Sequence, residues 1–209
     1  MIARRMKIFR FLAFLPALLF ACTQAIGQVK GSRATVPLDN VDAPRFEWAV
    51  ESAYLFDFIN SPHHYEIAAE FVTGRVRWGT IERDNWLRGY NQFYLSAMAE
   101  PILRGVETYY YGFNFGSRYN FVPPRSRLVP YISGGVGAGA IDSRANIFGA
   151  QGQDFTFNIL SEVGLTYEMT DHWRLDVGVL YQHLSNAGQT DPNPSLNLIG
   201  PQFGVTYSY

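Results

Sequence analysis

Apolar and polar residues alternate with a period of two along most of this chain, in runs of roughly ten to fifteen residues closed by turn residues, the pattern of half-buried β-strands. Residues 46–56 place Phe46, Trp48, Val50, Tyr54 and Phe56 on one face. A second strand is expected over 65–78, where the phase slips at residues 72–74 and implies a bulge. The third, 86–98, is the least regular. In the fourth, 106–121, Tyr109, Tyr111, Phe113, Phe115, Tyr119 and Phe121 alternate with Tyr110, Gly112, Asn114, Gly116, Arg118 and Asn120. The Val-Pro-Pro-Arg-Ser stretch at 122–126 then breaks the chain. The fifth strand, 128–141, carries Gly134, Gly135, Gly137 and Gly139, small residues that leave room for bulky neighbours in a narrow interior. Strand six runs over 155–169, and residues 173–209 form a closing hairpin around a loop at 186–194.

About eight antiparallel strands with two distinct faces predict an all-β fold. Composition then decides what surrounds it. Aromatic residues make up 16% of the chain, with 13 Tyr and 16 Phe, yet mean hydropathy is only −0.07. Strands that face lipid on one side and a polar interior on the other average out in this way, so an eight-stranded antiparallel transmembrane β-barrel is expected over residues 45–209. Closing the sheet pairs every backbone N–H and C=O within lipid. Eight strands leave an interior filled by side chains, which excludes a wide pore. Glu162, Glu168, Asp176, Arg118 and Arg174 have inward parity and should form a paired network there. An aromatic C-terminal strand (Phe203, Val205, Tyr207, Tyr209) resembles the terminal signal of bacterial outer-membrane barrels. With the C-terminus periplasmic, the 186–194 loop lies on the outer side.

The N-terminus reads as a targeting segment. Arg4, Arg5, Lys7 and Arg10 precede an apolar run at 11–21 that is too short to span a bilayer, and Ala25-Ile26-Gly27 is a small-x-small cleavage site. A signal peptide is therefore expected over 1–27 and an aperiodic arm over 28–44. Cleavage at Cys22 as a lipoprotein is the alternative, disfavoured by the bulky Phe20. Four of the 17 basic residues lie before the cleavage point and none of the 18 acidic ones does, so the mature chain is acidic and a nucleic-acid partner is not expected. Cys22 is the one cysteine, so no disulfide staples the barrel.

The hairpin adds chemistry. On its first arm the outward positions run Trp173, Leu175, Val177, Val179, Tyr181, His183 and Ser185. Side chains at i and i+2 of a strand share a face, so an apolar stripe ends in an imidazole beside a hydroxyl. Histidine is the usual base at neutral pH, and a hydroxyl becomes nucleophilic when a base takes its proton. The pair points to an esterase acting on lipid. A third group must hold the imidazole in the right tautomer. Counting back across the loop puts Asn197 opposite the pair with the same outward parity. Asp191 is the nearest spare carboxylate. Without further signal, the polar rim where the apolar band meets headgroups is the favoured reading of His183 and Ser185. His63 and His64 lack zinc spacing and are expected to be solvated, and His172 to be structural.

His183-Leu184-Ser185-Asn186-Ala187-Gly188, followed by Asn193-Pro194 and the aromatic last strand, resembles the lipid A 3-O-deacylase (PagL-like, acyloxyacyl hydrolase) family of outer-membrane barrels. The resemblance implies His183 as general base, Ser185 as nucleophile and lipid A or lipopolysaccharide as substrate, with outer-membrane lipid around the barrel. It implies an oxyanion site at Asn186, to which the backbone N–H groups of the turn through Gly188 add. No cofactor or metal is expected, and a homodimer is left open. In the best-known members a glutamate is the third residue; here Asn197 occupies that place. Asparagine orients an imidazole but does not neutralise its charge. The alternatives are a non-catalytic small barrel with a structural or adhesion role, and a lipid acyltransferase that excludes water.

Overall fold

The computed structural model describes residues 46–59, 63–78 and 86–209. The signal peptide and arm expected over 1–44 lie outside the described residues, as does the tip of the first loop. The described chain forms eight strands: β1 (Phe46–Asp57), β2 (Glu66–Trp78), β3 (Gly89–Arg104), β4 (Tyr109–Phe121), β5 (Leu128–Ile141), β6 (Phe155–Glu168), β7 (Trp173–Ser185) and β8 (Leu196–Ser208). Each pairs antiparallel with the next, and β8 pairs back onto β1, closing the barrel. Closure leaves no open edge, the condition for a sheet in a membrane.

Outward residues form an apolar wall. Trp48, Val72, Val76, Phe93, Leu95, Phe113, Phe115, Val163 and Phe203 are all exposed. Rings at its two ends pair edge-on or tilted: Tyr109 with Tyr111 and Phe155 with Phe157 at one end, Trp173 with Tyr207 at the other. Aromatic girdles of this kind mark the two interfaces of a membrane barrel.

The interior is divided along the axis. Toward the end that carries Phe46 and Tyr209, buried charges pair as the inward parity predicts. Arg75 pairs with Glu51, Arg174 pairs with Glu47, and Asp176 accepts from Arg118 at 2.8 Å with Arg75 3.6 Å away. The Arg118 guanidinium lies 3.5 Å above the Tyr131 ring. Two glycines make room for Tyr131: a Cβ on Gly164 would stand 2.4 Å from its ring, and one on Gly178 2.8 Å from its hydroxyl and 2.6 Å from Glu162 Oε1.

Toward the opposite end the interior is largely apolar, around one buried polar pair in which Gln182 Nε2 donates to the Glu100 carboxyl at 2.8 Å. Leu55, Ile67, Ala69, Phe71, Met98, Leu160, Leu180, Leu184, Leu196 and Leu198 pack as one cluster. This explains a departure from expectation. The apparent slip at residues 72–74 is no bulge, because β2 keeps its register with both neighbours there. Ile67, Ala69 and Phe71 are inward residues in the apolar half, whereas Thr73 and Arg75 are inward residues in the charged half. A change of chemistry along one face mimics a change of phase. The register irregularity sits instead at Glu66 and Ile67, against β3. β3 also runs six residues beyond its expected end, to Arg104, and β4 begins at Tyr109.

Candidate active site

The candidate site stands where β7 and β8 leave the apolar half of the barrel. Leu184, Leu196 and Leu198 are fully buried in the interior cluster. Strand alternation therefore turns Ser185, His183 and Asn197 outward, and a slip of one residue would bury them. His183 is directly opposite Asn197 on β8 and Ile159 on β6, and Ser185 is opposite Phe157.

These three side chains form a continuous hydrogen-bonded row. His183 Nδ1 lies 2.9 Å from Asn197 Oδ1, and His183 Nε2 lies 3.1 Å from Ser185 Oγ. An amide oxygen only accepts, so the proton of the neutral ring belongs on Nδ1. Nε2 is then left as a lone pair facing the hydroxyl, the tautomer a general base requires. Asn197 has two further partners: Tyr181 donates its hydroxyl to Oδ1 at 2.7 Å, and the Nδ2 group reaches the Ile59 carbonyl at 3.4 Å. Asp191 is exposed in the loop, while the ring nitrogens of His183 are occupied by Asn197 and Ser185.

The turn after the serine is tied inside itself. Asn186 is fully buried. Its side chain donates to the Thr190 carbonyl at 2.6 Å and accepts from the Gly188 N–H at 2.9 Å, while its own N–H donates to Asn193 Oδ1 at 2.9 Å. The N–H groups of Asn186 and Gly188, both expected at an oxyanion, are thus engaged within the loop. Between them, Ala187 takes a left-handed φ of 56° and Gly188 one of 72°. Among the described residues, the Ala187 N–H is the donor of this turn that the loop does not use.

The neighbouring β5–β6 loop braces it. Gln151 Nε2 donates to the Pro194 carbonyl at 2.7 Å and the Gly152 N–H to the Pro192 carbonyl at 2.8 Å, while Gln153 meets Gln189 and Thr190. Glu107, buried beneath, accepts from the Gln151 N–H at 2.8 Å and from the Tyr65 hydroxyl at 2.6 Å. Burial, then the bond to Glu107, raises the Tyr65 pKa well above the usual tyrosine value, so the hydroxyl stays a donor. Sequence reasoning missed Tyr181, Asn193, Gln151 and the Ile59 carbonyl. Parity places Tyr181 on the face of His183, but only the β8 register shows that it reaches Asn197.

The other histidines stand apart. His63 meets the Phe148 carbonyl, His64 lies 3.4 Å from Asp57, and His172 meets the Ser208 carbonyl. Among the described residues no three His, Cys, Asp or Glu side chains gather as a metal site.

The family model described as lipid A 3-O-deacylase (PagL) matches residues 64–206. Among solved structures, the crystal structure of the outer membrane enzyme PagL is 16% identical, covers 76% of this chain and 97% of its own, and superposes with a TM-score of 0.55. That of Neisserial surface protein A is 15% identical, covers 78% of this chain and 97% of its own, and gives a TM-score of 0.56. Compared by sequence with curated proteins, the chain matches none. At such identities the structural likeness establishes the eight-stranded fold, and the match over 64–206 establishes the family.

Proposed function

This chain belongs to the lipid A 3-O-deacylase family of outer-membrane barrels, and from that membership and the geometry of its rim we propose that it is a serine esterase removing the acyl chain ester-linked at the 3-O position of lipid A. The observation that carries the reading is the row from Asn197 through His183 to Ser185 on the outward face. A base, an alcohol and an orienting group stand in the order that acyl transfer needs, on the apolar wall where an acyl chain would lie.

In the proposed reaction, His183 Nε2 takes the Ser185 proton as Oγ bonds to the ester carbonyl carbon. The Ala187 N–H, with any donor the turn releases on binding, stabilises the oxyanion; one such donor is typically worth about 3 kcal/mol. Collapse breaks the bond to the sugar oxygen, which takes the proton from His183. Water then attacks the acyl-serine with His183 again as base, and the fatty acid leaves. Exposed Phe155 beside Phe157 and Ile159 gives the acyl chain an apolar surface next to Ser185. Asn197 holds the ring but brings no charge against the imidazolium, so turnover is expected to be slower than with a carboxylate there.

Mass spectrometry of lipid A from cells making the chain tests this. The expected result is loss of one 3-hydroxyacyl chain, with removal falling by at least about a thousandfold in Ser185→Ala or His183→Ala. Unchanged lipid A around a folded wild-type barrel would return the protein to a scaffold role, and a gained or moved chain would indicate transfer.

A further inference from the structure

Asn197 raises a problem that a carboxylate would not. A carboxylate presents an acceptor to His183 however it turns, whereas an amide rotated by half a turn presents an NH₂ group. In that rotated state His183 Nδ1 would have to accept, its proton would move to Nε2, and the ring would donate to Ser185 instead of deprotonating it. The base works in one amide orientation only.

We propose that Tyr181 and the Ile59 carbonyl form a cradle that fixes this orientation, making Tyr181 a positioning residue for the reaction; the inference rests on the deacylase reading. The geometry is specific. The Ile59 carbonyl only accepts, and it lies 3.4 Å from Asn197 Nδ2, so it draws the NH₂ group away from the imidazole. The Tyr181 hydroxyl, 2.7 Å from Oδ1, donates to the same oxygen that receives His183 Nδ1 at 2.9 Å. Rotating the amide would set Nδ2 against the imidazole, oblige the Tyr181 hydroxyl to give up its donated bond and accept instead, and turn Oδ1 toward the Ile59 carbonyl, acceptor against acceptor. Tyr181, His183 and Asn197 are all half-buried, so water competes only in part for these bonds. The three elements meet because β8 pairs with β7 on one side and β1 on the other: Tyr181 is two residues before His183, and the Phe58 N–H donates to the Asn197 carbonyl at 2.8 Å, which brings Ile59 alongside.

The test uses the full chain purified in detergent micelles, with lipid A as probe. Tyr181→Phe should lower kcat on the order of five- to tenfold, the loss of one modest hydrogen bond, with KM unchanged. In an Asn197→Glu background the same change should leave kcat within about twofold, because a carboxylate has no wrong orientation. Nitrogen NMR of histidine-labelled protein, with the His183 signals identified by their loss in His183→Gln, should show an Nδ1–H ring in the wild type and a mixture of tautomers in Tyr181→Phe. An equal loss of kcat in both backgrounds, or a ring that stays wholly Nδ1–H without the tyrosine hydroxyl, overturns the cradle. If folded wild type and Asn197→Glu both leave lipid A intact, the deacylase reading fails, and the tautomer spectra still decide the cradle.

Discussion

Asn186 and Asn193 show how one residue type serves different ends within a single loop. Asn186 uses its amide to close the turn behind Ser185, bonding Thr190 and Gly188, and is buried in doing so. Asn193 takes the Asn186 N–H at 2.9 Å and keeps the turn against β7. Asn193→Ala would leave that N–H without its acceptor and loosen the placement of the Ala187 N–H. The proposed removal of an acyl chain from lipid A is expected to fall about tenfold, from a hydrogen bond worth about 1 kcal/mol and the donor it aligns. The barrel should keep its wild-type melting temperature, since the loop lies outside the sheet; an unchanged rate would sink the alignment argument. Among these residues His183 and Ser185 were legible from spacing alone, because i and i+2 on a strand share a face. The engagement of Asn186 was not, since side-chain bonds inside a turn follow no period.

At the level of elements, the site depends on two loops held against each other at one end of the barrel. The β3–β4 and β5–β6 connections meet at Asp142, which accepts from the Thr108 hydroxyl at 2.6 Å and from the N–H groups of Thr108 and Tyr109 at 2.7 and 3.0 Å. Burial pushes the Asp142 carboxyl up, but those bonds and Arg144 outweigh it and hold the group below its ordinary value of 3.8. A depressed carboxyl contributes stability that is complete above the unfolded value and disappears as pH falls through the folded one. The clamp should therefore stay closed at neutral pH and open as pH falls below 3.8. Limited digestion with an acid-active protease at stepped pH should show cuts at residues 105–108 and 142–154 appearing in that range. Asp142→Asn should admit cleavage there at neutral pH with a broad-specificity protease; a cleavage profile unaltered by Asp142→Asn would refute the clamp. The strand spans themselves were readable from the alternation, most closely β5 and the ends of β7. β3 was not, because its inward Gln92, Ser96 and Glu100 and its internal Pro101 obscure the period.

At the largest scale, the described residues form a closed barrel with a charged half and a largely apolar half, and both halves matter to the site. Asp176 is the hub of the charged half, bonded to Arg118, Thr166 and Thr206 with Arg75 alongside. Removing one partner of a buried ion pair strands the other, at a cost of about 3–5 kcal/mol. Asp176→Ala should lower the temperature of heat-modified gel migration markedly while the proposed acyl-chain removal from lipid A by the still-folded fraction stays at the wild-type rate per molecule; an unshifted transition would refute the hub. From the apolar half, Leu184, Leu196 and Leu198 set the parity that sends Ser185, His183 and Asn197 outward. Period, composition and turn residues determined that this chain is a lipid-facing barrel of eight strands, and that a histidine and a serine share its outer face, because such facts follow from local geometry repeated along one strand. Which residues meet across strands depended on closure and register. Only the folded barrel brings the Ile59 carbonyl, Tyr181 and His183 around the Asn197 amide, since their separation in sequence carries no trace of the hydrogen bonds that join them.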